Sequence, residues 1–292
     1  MYYKVKYHQI AVSYLPELDG GGMTFGQQYL DVIRQKVGRV GHVFEYCAGP
    51  GFIGFSLLAN GLCERLTLAD VNPAAVKAVQ ATIRENHLED RVTVYQSDCL
   101  DDIPATERWD LVVSNPPHWD GDEQSYKESI RLVDPGWAIH KRFYRDVRKF
   151  LNPNASIIFQ ESSHATKRAD FEPMIRENNL DLVEVFEATP APGTFTFTPP
   201  RWLANLSRAL AHRTMLPLEK LLMVPGVEKL LKDNNFYRKI SALPGLAPTQ
   251  FYFMWSKALP AAAPTVRTSN GSGKHKLHAR AETSRIPPAE LN

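Results

Sequence analysis

The chain has 292 residues, of which 43% are hydrophobic, and its 34 basic and 32 acidic residues leave a net charge of +2. This composition predicts a substantial core in one domain with additions, and it argues against recruitment of nucleic acid by the overall field of the protein. No apolar run approaches the ~20 residues of a membrane span and no signal-peptide core is visible, so a soluble cytoplasmic protein is expected.

The N-terminal part of the chain is predicted to be an extension or a lid, over residues 1–23. Residues 4–15 alternate enough to form a strand, and three consecutive glycines at 20–22 provide a flexible joint. Thr24 is a suitable N-cap for a helix over residues 25–36, because apolar side chains recur there at helical spacing.

From residue 43 onward the chain alternates short apolar strands with helical segments. The predicted strands are 43–46, 66–69, 92–96, 111–113, 156–160 and 182–188. One intervening helix covers 52–60, one is opened by Asn72 and Pro73, and another is opened by Asp134 and Pro135. Strands separated by helical lengths predict βαβ units, and therefore an α/β fold with a doubly wound, mostly parallel sheet.

A seventh strand, 251–255, follows only after about sixty residues that are rich in proline. That interval contains two short helical patterns, 202–214 and 218–231, and is interpreted as a helical insertion at about 190–248 beside the mouth of the site. The main domain is therefore predicted to run from 24 to 259. Residues 260–292 have few large apolar side chains and are expected to be a disordered tail.

The central motif follows the first strand, where Gly49, Gly51 and Gly54 stand as G-x-G-x-x-G. Glycine permits a tight turn with positive φ and close approach of a ligand, and the turn leaves N–H groups at a helix N-terminus. The motif predicts a nucleotide-like cofactor above the carboxyl ends of the sheet. Asp70 lies 19 residues after Gly51, so a nicotinamide dinucleotide is one alternative.

Two further features narrow the choice of cofactor. Glu45 stands at the end of the first strand, and Asn115-Pro116-Pro117 directly follows the fourth. Together the motifs resemble the class I S-adenosylmethionine-dependent methyltransferases. Within them the chain resembles the small methyltransferase domain branch, in which an aromatic residue follows Asn-Pro-Pro. That branch includes glutamine, adenine and guanine amino-group methyltransferases. The resemblance covers roughly residues 24–190 and the last strand, and implies a seven-stranded Rossmann-like fold with S-adenosyl-L-methionine as cofactor.

The resemblance implies a set of cofactor-binding residues at the strand ends: Glu45, Gly49, Gly51, Asp70, Asp98, Cys99 and Asn115. The Glu45 carboxylate would meet the cofactor's ammonium group, directly or through backbone and water. Asp70 would accept hydrogen bonds from the ribose hydroxyls, while Asp98 and the N–H of Cys99 would hold the adenine. The plainer interpretations are a solvated strand end for Glu45 and helix-capping loops for the two aspartates.

Asn115, Pro116 and His118 are the predicted catalytic residues. The Asn115 side-chain oxygen and the Pro116 carbonyl can accept the two hydrogens of an amide or aryl amine, which stabilises positive charge developing on nitrogen. His118 departs from the family's pattern, which has an aromatic residue there. Its imidazole can stack on a substrate or take a proton near neutral pH, with Trp119 as an alternative stacking residue. The plainer interpretation is that both rings pack the loop.

These residues predict a methyltransferase that acts on a nitrogen of a small molecule. A small-molecule substrate is expected ahead of protein or RNA, because the insertion could close over the site. The alternatives are ring closure of the cofactor with release of methylthioadenosine, methylation of a protein glutamine or an RNA base, and a non-catalytic nucleic-acid-binding module. The three cysteines, at 47, 63 and 99, lack metal-ligand spacing, and no metal is expected.

Overall fold

A computed structural model describes residues 2–18, 22–163, 165–188, 195–197, 246–248 and 251–259. Its helices are α1 (Gly22–Lys36), α2 (Phe52–Ala59), α3 (Pro73–Glu85), α4 (Glu123–Glu128), α5 (Ala138–Asp146) and α6 (Arg168–Glu177). Its strands are β1 (Tyr3–Tyr7), β2 (Ile10–Tyr14), β3 (Val40–Tyr46), β4 (Cys63–Asp70), β5 (Val92–Gln96), β6 (Trp109–Ser114), β7 (Leu151–Ser162), β8 (Leu180–Glu187), β9 (Phe195–Phe197), β10 (Leu246–Pro248) and β11 (Phe251–Ala258).

Seven of the strands form one twisted sheet in the order β5-β4-β3-β6-β7-β11-β8. The pairs β4–β5, β3–β4, β3–β6 and β6–β7 are parallel, whereas β11 runs antiparallel to both of its neighbours, β7 and β8. The predicted doubly wound, mostly parallel seven-stranded fold is therefore confirmed. β9 and β10 pair with each other outside this sheet.

The central strands are buried on both faces, which is why they read as short apolar runs rather than as alternating ones. Successive side chains point to opposite faces, so Val43 joins the core under α1, α2 and α3 while Phe44 joins the core under α5 and α6. Phe44 stacks on Trp109 with ring centroids 3.8 Å apart. This arrangement places every parallel strand's carboxyl end at the same edge of the sheet.

The helix predicted to begin at Asp134 begins later. Gly136 and Trp137 have positive φ angles of 56° and 58°, which break the helical path after a short 3-10 turn, and α5 starts at Ala138. Asp134 nevertheless caps α5, because its side-chain oxygens accept from the backbone N–H groups of Ile139 at 2.8 Å and His140 at 3.2 Å. The sequence thus predicted Asp134 as the capping residue but not the 3-10 turn that separates Asp134 from α5.

The N-terminal extension is a β-hairpin, β1 and β2, that docks on α3. Asn86 at the end of α3 donates to the carbonyl of Ala11 and accepts from its N–H, both at 2.9 Å. Beyond the hairpin, Leu18 reaches the site described below. The predicted insertion, except for β9 and β10, and the predicted tail lie outside the described residues. Within the described part of the chain, no helix combines the length and apolar character needed to cross a membrane.

Candidate functional site

A cavity of about 340 Å³ opens where β3, β4, β5 and β6 end. The loops that follow these strands form most of its wall, and Leu18 adds an apolar side chain from the N-terminal extension. Nearly all of the site residues predicted from the sequence line it: Glu45, Gly49, Asp70, Asp98, Cys99, Asn115, Pro116 and His118. Gly51 does not, because it packs against the core.

The glycine turn has the backbone that the sequence pattern predicts. Gly49 and Gly51 have positive φ angles of 51° and 82°. A Cβ on Gly51 would stand 2.4 Å from the Leu68 side chain, and a Cβ on Gly54 would stand 2.6 Å from Leu66. Two of the glycines therefore let α2 lie close against β4, and Gly49 shapes the edge that faces the cavity.

Glu45 holds the turn to β3. It is 2% exposed, and its carboxylate accepts from the backbone N–H groups of Gly54 at 2.6 Å and Ile53 at 3.3 Å. Burial raises the pKa of Glu45 to about 8, although the two N–H groups act in the opposite direction. The carboxyl group thus anchors the N-terminus of α2 and at the same time forms part of the cavity wall.

Asp70 makes the same kind of contact from the end of β4. Its Oδ2 accepts from the Gly49 N–H at 2.7 Å and its Oδ1 accepts from the Asn72 N–H at 2.8 Å. Burial raises the pKa of Asp70, and these backbone donors counteract part of that rise. Each carboxylate oxygen has a second lone pair, so these contacts to the two loops and a role in ligand binding are compatible.

Asp98 is paired with a residue that the sequence analysis did not single out. Arg142 on α5 donates to Asp98 Oδ1 at 2.9 Å, and its second nitrogen donates to Asp101 Oδ2 at 3.0 Å. Arg142 also lines the cavity. Next to Asp98, Cys99 has a positive φ of 59°, and burial raises the pKa of its thiol to about 11, which keeps it neutral.

The Asn-Pro-Pro motif directly follows Ser114, the last residue of β6, and Ser114 is held by two hydrogen bonds. Ser114 Oγ donates to the Tyr46 carbonyl at 2.6 Å, and the Tyr29 hydroxyl donates to the Ser114 carbonyl at 2.5 Å. The prolines that follow fix φ and cannot donate, so the loop leaves the sheet in one direction. Asn115 and both prolines line the cavity.

His118 is only 8% exposed, and both of its ring nitrogens have protein partners. Nε2 lies 2.8 Å from Asn115 Oδ1, and Nδ1 lies 3.2 Å from Glu161 Oε2. The ring also stands 5.9 Å from that of Phe251. Trp119, the alternative stacking residue, is 44% exposed and is not among the residues that line the cavity.

Behind His118 lies a chain of buried side chains that the sequence analysis missed. Glu161 Oε1 is 3.0 Å from His140 Nε2, and His140 Nδ1 is 2.6 Å from Asp134 Oδ2. Burial opposes charge on both members of the central pair, but their attraction outweighs it. The attraction between His140 and Glu161 raises the pKa of His140 to about 9 and lowers the pKa of Glu161. Two signals were available in the sequence: Glu161 directly follows a predicted strand, and Asp134 was predicted as a helix cap.

Residues 23–159 match the model of the methyltransferase small domain family. Ribosomal RNA small subunit methyltransferase C of Actinobacillus pleuropneumoniae serotype 3 (strain JL03) is 36% identical over 117 residues, which cover 40% of this chain and 33% of the relative. Release factor glutamine methyltransferase of Clostridium acetobutylicum is 30% identical over 132 residues, which cover 41% and 46%.

The chain thus spans less than half the length of either relative. Among solved structures, geranyl diphosphate C-methyltransferase from Streptomyces coelicolor A3(2) aligns with a TM-score of 0.47 and 13% identity, over 80% of this chain and 79% of that one. Over residues 23–159 this match confirms the methyltransferase family that the motifs predict, with S-adenosyl-L-methionine as the cofactor and methyltransferase as the enzyme class of that segment.

The prediction of a small-molecule substrate ahead of protein or RNA is wrong. The two relatives are named for ribosomal RNA and for a glutamine of a protein release factor. The prediction relied on the insertion at about 190–248, whose sequence carries no information about the acceptor. The separate argument against nucleic acid used the small net charge, which describes the field of the whole chain and not the surface around one cavity.

Proposed function

Because residues 23–159 belong to the methyltransferase small domain family, we propose that this protein methylates an amino nitrogen of a base in ribosomal RNA. The observation that carries the proposal is the common cavity, whose wall holds the glycine turn, Asp70 and the Asn115-Pro116 pair. RNA is chosen as the acceptor because the relative with 36% identity is named for it. A ribosomal acceptor implies that the protein acts in the cytoplasm.

On the β3–β5 side of the cavity, the proposed cofactor contacts follow the strand ends. The remaining lone pairs of Asp70 would accept from the ribose hydroxyls. Asp98, already oriented by Arg142 at 2.9 Å, and the backbone of Cys99 would hold the adenine. Glu45 would act on the ammonium group mainly through the backbone of the turn, since its oxygens are within 3.3 Å of the Ile53 and Gly54 N–H groups.

On the β6 side, Asn115 and Pro116 are proposed to hold the acceptor nitrogen. When bound, S-adenosyl-L-methionine supplies a methyl group on a cationic sulfur that leaves as a neutral thioether. The Asn115 side-chain oxygen and the Pro116 carbonyl would accept the two N–H hydrogens and aim the nitrogen lone pair at that methyl group. They would also stabilise the positive charge that develops on nitrogen before it releases a proton.

The proposal is tested by incubating the protein with methyl-tritiated S-adenosylmethionine and three acceptors. These are small ribosomal subunits from the source organism with the gene deleted, RNA extracted from them, and a purified peptide chain release factor. We expect label in the RNA, an N-methylated base in its nucleoside digest, and S-adenosylhomocysteine as the other product.

Each other outcome identifies an alternative. Label only in the release factor would replace the RNA proposal by glutamine methylation, the activity named for the second relative. Methylthioadenosine without label transfer would indicate ring closure of the cofactor. Salt-sensitive RNA binding with no turnover would indicate a non-catalytic module.

A further inference from the structure

The two contacts of His118 restrict where its protons lie. Glu161 Oε2, at 3.2 Å from Nδ1, is a carboxylate oxygen and can only accept, so Nδ1 carries a proton. At Nε2, 2.8 Å from the Asn115 amide, two arrangements are chemically consistent. A ring protonated on both nitrogens donates to Asn115 Oδ1, whereas a neutral ring accepts from Asn115 Nδ2. The proton on Nε2 therefore decides which amide atom faces the ring.

Glu161 is kept in the charged form that this argument requires. Its other oxygen lies 3.0 Å from His140 Nε2, and Asp134 lies 2.6 Å from His140 Nδ1. His140 is fully buried, with its ring stacked on Phe171 at a centroid distance of 4.4 Å. Asp134 is fixed in turn by the N–H groups that it caps. The chain of contacts therefore runs from the start of α5 through β7 to the Asn-Pro-Pro loop.

We propose that His118 is a positioning residue that sets the orientation of the Asn115 amide, and that Asp134, His140 and Glu161 hold its proton on Nδ1. The neutral ring accepts from Asn115 Nδ2, and this turns Oδ1 toward an acceptor nitrogen in the cavity. The doubly protonated ring instead donates from Nε2 to Asn115 Oδ1. This structure has that arrangement, with Oδ1 2.8 Å from Nε2. Only the kinetic consequence rests on the proposed function.

The mechanism favours the neutral ring as the active form. The acceptor's N–H groups need an oxygen to donate to, and a cationic ring would hold that oxygen. It would also place positive charge beside a cavity in which the bound donor is already cationic. Methyl transfer should therefore be faster with the neutral ring than with the doubly protonated ring.

Other titratable groups lie near His118 and Glu161, and the His118 variants distinguish the effect of His118 from the effects of these groups. Tyr29, Tyr144 and Tyr252 interact electrostatically with Glu161. Burial raises the pKa of each hydroxyl, and the charge on Glu161 raises it further, so they stay neutral in the working range. Among the described residues, the ionisable groups that share the cavity with His118 are Glu45, Tyr46, Cys47, Asp70, Asp98, Cys99, Tyr126, Arg131 and Arg142.

The proton positions can be measured without any acceptor, by ¹⁵N NMR of the full chain labelled at its nine histidines. The His118 signals are assigned by their absence from the His118→Phe spectrum. We expect both nitrogens protonated at low pH and the Nδ1–H tautomer at high pH. In Glu161→Gln we expect that preference to be lost. A neutral Nε2–H tautomer in the parent protein overturns the proposal, even if Glu161→Gln does not fold.

The kinetic arm uses the acceptor found for the proposed function. His118→Phe should bind S-adenosylhomocysteine as the parent does but lower kcat by about 10- to 100-fold, the scale of lost positioning. His118→Gln keeps a hydrogen-bonding group toward Asn115 that cannot titrate, so its kcat should exceed that of His118→Phe and vary less with pH than the parent's. His8→Phe, an exposed site on the hairpin, is the matched control.

The two proposals fail in different ways. If no acceptor is methylated but the His118 tautomer is as expected, the proposed function fails and the proton assignment stands. If methyl transfer occurs and His118→Phe keeps the parent rate and pH profile, the positioning role is refuted.

Discussion

The two sides of the cavity are built in different ways. On the β3–β5 side, Glu45 and Asp70 accept hydrogen bonds from backbone N–H groups that lie within 21 residues of them in sequence. On the β6–β7 side, Asn115 is supported by His118, Glu161 and groups behind them, through contacts between side chains. The first side depends on backbone donors in the turns at the strand ends, whereas the second depends on side chains that the packing of α5 on β7 brings together.

The difference indicates what each side can tolerate. Backbone donors stay in place as long as the turn is folded, so changes to the carboxylates should affect chiefly the ligand that they bind. A chain of buried ionisable side chains has no such support. Removing one member leaves another charge without its partner in a region that excludes water, and this is costly. The predictions below test this contrast, starting with the largest expected effect.

Glu161→Gln should destabilise the protein by about 3–5 kcal/mol, because it leaves the buried His140 with one carboxylate fewer. The change is measured as the free energy of unfolding in urea. Glu172→Gln is the matched control, since Glu172 pairs with Arg168 and Arg176 on the exposed face of α6. Its effect should be much smaller. Equal effects for the two variants would show that the buried Glu161 contributes no more to the free energy of unfolding than the surface Glu172.

Asn115→Ala should lower kcat by an amount corresponding to about 2.7–4 kcal/mol in the barrier, with cofactor affinity nearly intact. Asn115→Asp should be less harmful, because it keeps an acceptor oxygen at the same place. Both are measured as steady-state rates at saturating cofactor. If Asn115→Ala turns over at the parent rate, the motif is only a turn that ends a strand.

Asp70→Ala should weaken binding of S-adenosylhomocysteine by a few times the ~1 kcal/mol of one hydrogen bond, because two ribose contacts are lost. Calorimetry measures the affinity, and circular dichroism checks that the variant is folded. Asp102→Ala, an exposed aspartate outside the cavity, is the control. Unchanged affinity in a folded Asp70→Ala would show that Asp70 does not bind the cofactor. Saturable binding of NAD by the parent protein would instead favour a dinucleotide enzyme.

Stability should fall gradually as pH rises from about 6.5 to 9, and both sides of the cavity contribute. The pKa of His140 rises on folding from ~6.5 to about 9, so its stabilisation is complete below 6.5 and is lost as pH rises through 9. The pKa of Glu45 rises from 4.5 to about 8, so its stabilisation is complete below 4.5 and is lost as pH rises through 8, which overlaps the His140 range between 6.5 and 8.

The thermal unfolding midpoint as a function of pH checks this prediction. His140→Phe should reduce the slope above pH 6.5 and leave the part due to Glu45. A midpoint that rises over this interval would contradict the sign of both pKa shifts.

The same contrast explains what could be predicted from the sequence. The seven strands were predicted at the right places, β5 with its observed bounds, because most of them are short apolar runs bounded by helical segments or turns. Glu45, Asp70 and the glycines were found because strand ends and turns have local signals. Asp134 was predicted as a helix cap, but its partnership with His140 and Glu161 has no local signal, since these side chains meet only after α5 packs on β7.

The central claim is that the β3–β5 side binds the cofactor and the β6–β7 side positions the acceptor. A single-turnover titration with S-adenosylmethionine tests it most directly, because it yields a half-saturating concentration and a maximal rate from the same data. Asp70→Ala should raise the half-saturating concentration and keep most of the maximal rate. Asn115→Ala should keep the parent half-saturating concentration and lower the maximal rate. If both variants change both quantities to the same extent, the two sides of the cavity do not have separate roles and the account is wrong.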